Sequence, residues 1–163
     1  PHGATLFHVL RPLDDRLSPR PYDQAHGQWD HADDSCVLTY DDRFLRRKRL
    51  LTSHNRGFLV DLAHTESLNH GDAFELEGGQ IIEVIAAKEA LLEITGDDLA
   101  RLAWHIGNRH CPCQLEPARL LIQNDHVIRD MLTKLGATLR DVSEPFIPEG
   151  GAYGHGRTHS HAH

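Results

Sequence analysis

Long apolar runs are missing from this sequence. The longest, around Ile81 to Ala87, is broken by Glu83, far short of the ~20 residues that a membrane-crossing helix needs. Cysteine is scarce, with three in 163 residues. Two of them, Cys111 and Cys113, flank a single proline. So few thiols, in an odd number, form no disulfide framework and fit a reducing, cytoplasmic setting. No basic stretch followed by an apolar block opens Pro1 to Leu10, so no secretory signal is expected there. Positive charge is in deficit: 17 Lys and Arg against 24 Asp and Glu leave a net charge of -7 with histidine neutral. A nucleic-acid binder, which needs a basic face to neutralise phosphates, is not expected from that balance. The signatures HExxH, GxSxG, GxxxxGK[ST] and GxGxxG are absent. His110-Cys111-Pro112-Cys113 also lacks the HxE and PCxxC of a zinc deaminase, so no catalytic constellation is visible.

Histidine is what the chain has in excess, with 14 residues. Full protonation would reverse the sign of the net charge, so the electrostatics turn on pH between about 5 and 8.

The pattern predicts an α+β protein. Short β-prone runs at Leu6 to Leu10, Cys36 to Tyr40, Arg47 to Leu51, Gly57 to Leu62, Asp72 to Leu76 and Gln80 to Ala86 are separated by turn residues. The glycine pair in Glu77-Gly78-Gly79-Gln80 marks a tight hairpin. Residues 1–86 thus read as a small all-β domain, sandwich- or barrel-like, with a long polar loop from Arg11 to Asp34. From 87 to 148 the order is strand (Leu91 to Ile94), helix (97–107), hairpin (114–115 and 119–122), helix, strand (137–142), a ferredoxin-like βαββαβ unit. Thr95 and Asp98 suggest a capping box for the first helix, and Gly107 a left-handed stop. The second helix takes Asn124 or Asp125 as cap, a stripe of Val127, Ile128, Met131, Leu132 and Leu135, and Gly136 as stop. The tail, 149–163, has almost nothing to bury and is expected to be mobile.

The tail carries His155, His159, His161 and His163. Neutral imidazoles clustered on a flexible segment can wrap Ni, Zn or Cu. A cloning tag is the alternative, but tags are ordinarily uninterrupted histidine runs, whereas Ser160 and Ala162 alternate here. His110 follows the first helix, where it can face solvent or a partner subunit. One imidazole is a poor metal site, yet a two-fold axis passing nearby would supply a second copy. Equally, His110 could hydrogen-bond the helix C-terminus, where positive charge is favoured. His126 lies in the first turn of the second helix, opposite its apolar stripe, and is a secondary candidate ligand or an ordinary surface histidine. The others (His2, His8, His26, His31, His54, His64, His70 and His105) share no spacing. Cys111 and Cys113 have no second pair to complete a zinc cage and read best as small apolar residues. Arg46-Arg47-Lys48-Arg49 reads as a solvated edge strand, with contact to an acidic protein as the alternative.

Taken in order, a β-rich front, Gly107-Asn108-Arg109-His110 with Gln114 four residues later, the 125–132 run DHVIRDML, the 150–156 run GGAYGHG and the His-rich end resemble the UreE family of urease accessory proteins. The resemblance spans essentially the whole chain. It implies a homodimeric nickel metallochaperone in which the residue matching His110 meets its symmetry mate and tail histidines complete the coordination. It further implies a cytoplasmic role in which Ni(II) passes to an accessory GTPase and the urease pre-activation complex, with no enzymatic activity. The front domain, on this likeness, is of the peptide-binding chaperone type. Zn(II) and Cu(II) are expected to compete, since such nitrogen ligands follow the Irving–Williams order. An alternative is a peptide- or protein-interaction module whose tail is a nonspecific metal buffer.

Overall fold

A computed structural model describes residues 6–9, 11–12 and 32–150. The chain divides into two compact units between Ala86 and Ala87.

The first unit contains β1 (Leu6–Val9), β2 (Arg11–Pro12), β3 (Asp34–Leu38), β4 (Phe44–Leu51), β5 (Gly57–Ser67), β6 (Ala73–Leu76) and β7 (Ile81–Ala86), with a 3-10 turn at Asp41–Arg43. A four-stranded sheet runs β1-β6-β7-β3 and a three-stranded sheet β2-β5-β4. Phe58, Val60 and Leu62 are buried at alternate positions of β5, the period-two pattern of a strand with one face inward. Both sheets bury side chains in one core that includes Cys36, Leu50, Phe58, Val60, Phe74 and Val84. Gly78 and Gly79 have φ of 106° and 91° and close the β6–β7 hairpin with a bond from Gly79 N–H to the Leu76 carbonyl at 2.9 Å. Positive φ there is available to glycine without steric cost. Buried Arg43 is satisfied by donating to the carbonyls of Leu38 (3.1 Å) and Leu68 (3.3 Å).

Three expectations change. Arg11 and Pro12 are a strand and not the start of a loop, while residues 13–31 lie outside the described residues. The strand expected at Cys36 to Tyr40 runs instead from Asp34 to Leu38, because Tyr40 already leads into the 3-10 turn. All four residues of Arg46 to Arg49 are exposed. The β4–β5 register slips between Leu45 and Arg47, which breaks simple alternation.

The second unit runs β8 (Lys88–Thr95), α1 (Leu99–Asn108), β9 (Gln114–Leu115), β10 (Leu120–Gln123), α2 (His126–Lys134) and β11 (Thr138–Pro145). Its sheet order is β11-β8-β10-β9, antiparallel throughout. Leu92, Ile94, Leu120 and Ile122 of the sheet pack with Leu102 and Ile106 of α1 and Ile128 and Leu132 of α2. Spacings of three and four place those helical residues on one stripe. Asp98 itself caps α1, accepting from Arg101 N–H at 3.1 Å, so the capping box expected to open at Thr95 gives way to a cap one turn later. Asp125 caps α2, accepting from Val127 N–H at 2.8 Å and Ile128 N–H at 3.1 Å. Val127 drops out of the predicted stripe, being 51% exposed. Gly136 has φ of 82° and ends α2 as expected. Gly107 does not take a left-handed φ; that conformation falls on His110.

On the sheet face away from the helices, Arg119 holds three carboxylates. Its guanidinium donates to both oxygens of Glu144 at 2.7 Å, to Glu93 at 2.9 Å and to Glu116 at 3.1 Å. Arg119 holds the carboxyls of Glu93 and Glu144 below the usual range, against a smaller opposing effect of burial. Carboxyls lowered on folding stabilise above their unfolded value of ~4.3 and lose that contribution as pH falls through the lowered folded values. Urea unfolding followed down from pH 6 is therefore expected to show stability falling below about pH 4.5. In Arg119→Met that acid slope should flatten, with a loss near neutral pH of about 1–2 kcal/mol, reduced by partial exposure.

Candidate metal centre

Helix α1 ends at Asn108, and the chain turns sharply into β9. Arg109 N–H donates to Ile106 O at 3.1 Å, His110 N–H to Gly107 O at 2.9 Å and Cys111 N–H to Ile106 O at 3.3 Å. These bonds satisfy carbonyls that a helix end otherwise leaves open. The turn requires a left-handed residue, and that residue is His110, with φ of 56°. A left-handed conformation suits glycine and costs about 1 kcal/mol for a residue with a Cβ. Among the described non-glycine residues only Asn55 shares it. The bond that His110 gives to the end of α1 comes from its backbone N–H, and the imidazole is on an exposed residue.

Cys111 and Cys113 follow, half-buried against the core of the second unit. Burial, with the Asp125 carboxylate adding to it, pushes the Cys111 thiol up to about 11. Burial, with Cys111 adding, pushes Cys113 to about 12. Thiolate is the form that coordinates and reacts, so both are small apolar groups near neutral pH. The effect of Asp125 on Cys111 puts the start of α2, with exposed His126 as its first residue, at the same end of the unit as the His110 turn.

The chain after β11 returns to this turn. Glu149 N–H donates to the Cys113 carbonyl at 2.8 Å, and Ile147 N–H donates to Gln114 Oε1 at 2.8 Å. Gln114 Nε2 in turn donates to Glu116 at 2.9 Å, which fixes the orientation of the amide. The root of the His-rich segment is thereby held three residues from His110. The place of Gln114 after His110 is plain in the sequence. Its partner 33 residues further on is not, because no periodic pattern links a side-chain amide to a distant backbone N–H.

His155, His159, His161 and His163 lie outside the described residues. Among the described residues, no group of three or more His, Cys, Asp and Glu side chains stands together as a metal cage, so neither His110 nor His126 has a ready-made ligand set. Two further histidines are structural: His54 Nδ1 lies 2.7 Å from the buried Asp34 carboxylate, and His70 Nδ1 accepts from Ala86 N–H at 3.0 Å. Among the described residues no helix is long and apolar enough to cross a membrane.

Both halves of the chain match known families. Residues 15–87 match the UreE urease accessory protein N-terminal domain, and residues 89–163 the C-terminal domain of the same name. The urease accessory protein UreE of Ruegeria pomeroyi is 72% identical over 137 residues, covering 84% of this chain and 92% of that protein. Its namesake in Cereibacter sphaeroides is 59% identical, covering 84% of this chain and 75% of its own. That of Paracoccus denitrificans is 50% identical over 150 residues, covering 90% of each. Matches to both domains define a urease accessory chaperone and not an enzyme. The chain belongs to the UreE family, a nickel chaperone family.

Replacing His110 by glycine and by alanine separates conformation from chemistry. His110→Gly is expected to be more stable than His110→Ala by about 1 kcal/mol in urea unfolding, while both remove the imidazole equally. At pH 7.5 Cys111 and Cys113 should alkylate far more slowly with iodoacetamide than an exposed thiol, judged by mass spectrometry. The Cys111→Ala/Cys113→Ala double variant should keep the nickel affinity of the parent.

Proposed function

We propose that the protein binds Ni(II) through His110 of two chains at a two-fold axis, completed by His155, His159, His161 and His163, and delivers it for assembly of the urease active site. The observation that carries this reading is the return of the chain to the His110 turn through Glu149, Cys113, Ile147 and Gln114. His155 is six residues beyond Glu149, a span of up to roughly 20 Å, so the tail starts within reach of an imidazole at that turn. Strain at His110 also supports the reading, since left-handed non-glycine residues concentrate at functional positions. His126, at the same end of the unit, is assigned a secondary role.

The order β11-β8-β10-β9 over a βαββαβ sequence supports a ferredoxin-like second unit, to which we assign dimerisation and metal binding. To the first unit we assign contact with partner proteins. A site of few nitrogen ligands shared between subunits suits a carrier: ligands leave one at a time, and the metal is passed on without dismantling a cage. Zn(II) and Cu(II) are expected to bind too, because the Irving–Williams order places Cu²⁺ above Ni²⁺. Recipients on this reading are the accessory GTPase and the urease pre-activation complex, in the cytoplasm.

Calorimetric titration with Ni²⁺ tests the ligands. His110→Ala and a chain ending at Pro148 should each weaken binding, and Gln114→Ala should weaken the tail-dependent part alone. Unchanged affinity in the first two would overturn the assignment. Binding should weaken as pH falls from neutrality, because imidazole must be neutral to coordinate and protons compete with the metal. A dimer by sedimentation whose nickel binding ignores His110 would favour the interaction module with a buffering tail.

A further inference from the structure

In a chain with a net charge of -7, four of the 17 Lys and Arg stand in a row at Arg46 to Arg49. Strand β4, which carries them, pairs with β5 and with no other described strand. At its Leu51 end the outer edge is engaged by β3, with Cys36 Sγ donating to Leu51 O at 3.3 Å and Ser53 N–H to Ser35 O at 2.8 Å, while the outward backbone groups of Arg47 and Arg49 meet no other described strand, and an edge of that kind accepts an added strand. The four cations are not equivalent. Arg46 and Lys48 alternate with buried Leu50 and are engaged within the chain: Arg46 Nε donates to Leu62 O at 3.4 Å, and Lys48 Nζ lies 3.3 Å from Asp42. Arg47, Arg49 and Leu51 alternate on the other face. Neither Arg47 nor Arg49 has an ion pair with a described residue, and Leu51 is 64% exposed. Across the ladder Arg47 stands opposite Asp61, and Arg49 opposite Leu59.

A strand that only needed protection from aggregation would be served by Arg46 and Lys48, exposed yet engaged within the chain. Arg47 and Arg49 add an outward row of charge that ends in an apolar side chain. We infer that the β4 edge takes up an extended acidic segment of a partner protein, paired at Arg47 to Arg49 with carboxylates opposite both, and with an apolar side chain resting on the exposed Leu51. Backbone pairing along β4 supplies affinity, and cross-strand charge pairs set the register. This deepens the partner-contact role proposed for the first unit and does not depend on where nickel binds.

The probe is a short fluorescein-labelled peptide alternating Glu with Thr and ending in Val, titrated with the full chain at low salt and followed by anisotropy. Saturable binding is expected. The exposed pair Arg47→Glu/Arg49→Glu should weaken it about tenfold or more. Methylating alternate peptide nitrogens along one edge should abolish binding, and along the other should leave it intact. No saturable binding, or indifference to N-methylation on either edge, would overturn the inference. So would equal or tighter binding of single-stranded DNA or phosphatidylserine vesicles, which share the charge but not the strand. The single variant Arg49→Glu, which faces Leu59 and not Asp61, should weaken peptide binding while keeping the parent's melting temperature and nickel affinity, so a failure here is distinguishable from a failure of the nickel reading.

Discussion

Two hydrogen bonds bring the end of the second unit back to the His110 turn. Without Glu149 to Cys113 and Ile147 to Gln114, the chain beyond β11 would depart from the strand end with no fixed relation to the His110 turn. With them, the chain at Ile147 and Glu149 is held beside that turn, and on the reading proposed above the histidines that follow act as tethered ligands. Tethering raises the effective concentration of a donor without any new contact, to an extent set by the length of the free span. The dependence is geometric, so on that reading the Gln114 amide, by holding Ile147 N–H at 2.8 Å, sets where the tethered span begins.

Around that tie, the unit divides its labour by face. The helical face of the sheet is apolar, with Leu92, Ile94, Leu120 and Ile122 under α1 and α2, and it supplies the hydrophobic stabilisation. The opposite face keeps Leu91 and Leu121 buried and adds Arg119, just before β10, gathering Glu93, Glu116 and Glu144, which ties it to β8 and β11 through one planar donor. The candidate ligands His110 and His126 belong to neither face: they sit at one end, in the α1–β9 turn and at the start of α2, and both are exposed.

Much of this was readable before the structure. The stripes Leu102 and Ile106, and Ile128 and Leu132, announce helices because the 3.6-residue period is local. The glycine pair at 78–79 announces its hairpin for the same reason. Sequence reasoning failed where conformation is set by competition. Gly107 is the residue best suited to a left-handed stop, yet α1 continues one residue past it and the strain falls on His110. Thr95 and Asp98 both can cap, and Asp98 does because its carboxylate reaches Arg101 N–H. Arg46 to Arg49 alternate in principle, but a slip in register next to them leaves all four exposed. The position of His110 as a candidate was legible from its place after a helix. Its left-handed backbone and the returning chain were not.

The burial of Cys111 and Cys113 also bears on which cations the turn could retain. Thiolate is the soft donor that favours Cu(I) and that zinc uses in its most persistent sites. Two cysteines next to the exposed histidine would make a thiophilic trap if their protons left readily. Packed against the core and held as thiols, they leave the turn with borderline nitrogen donors. On the reading proposed above, metal at this turn would meet nitrogen donors first, with both sulfurs turned into the core of the unit.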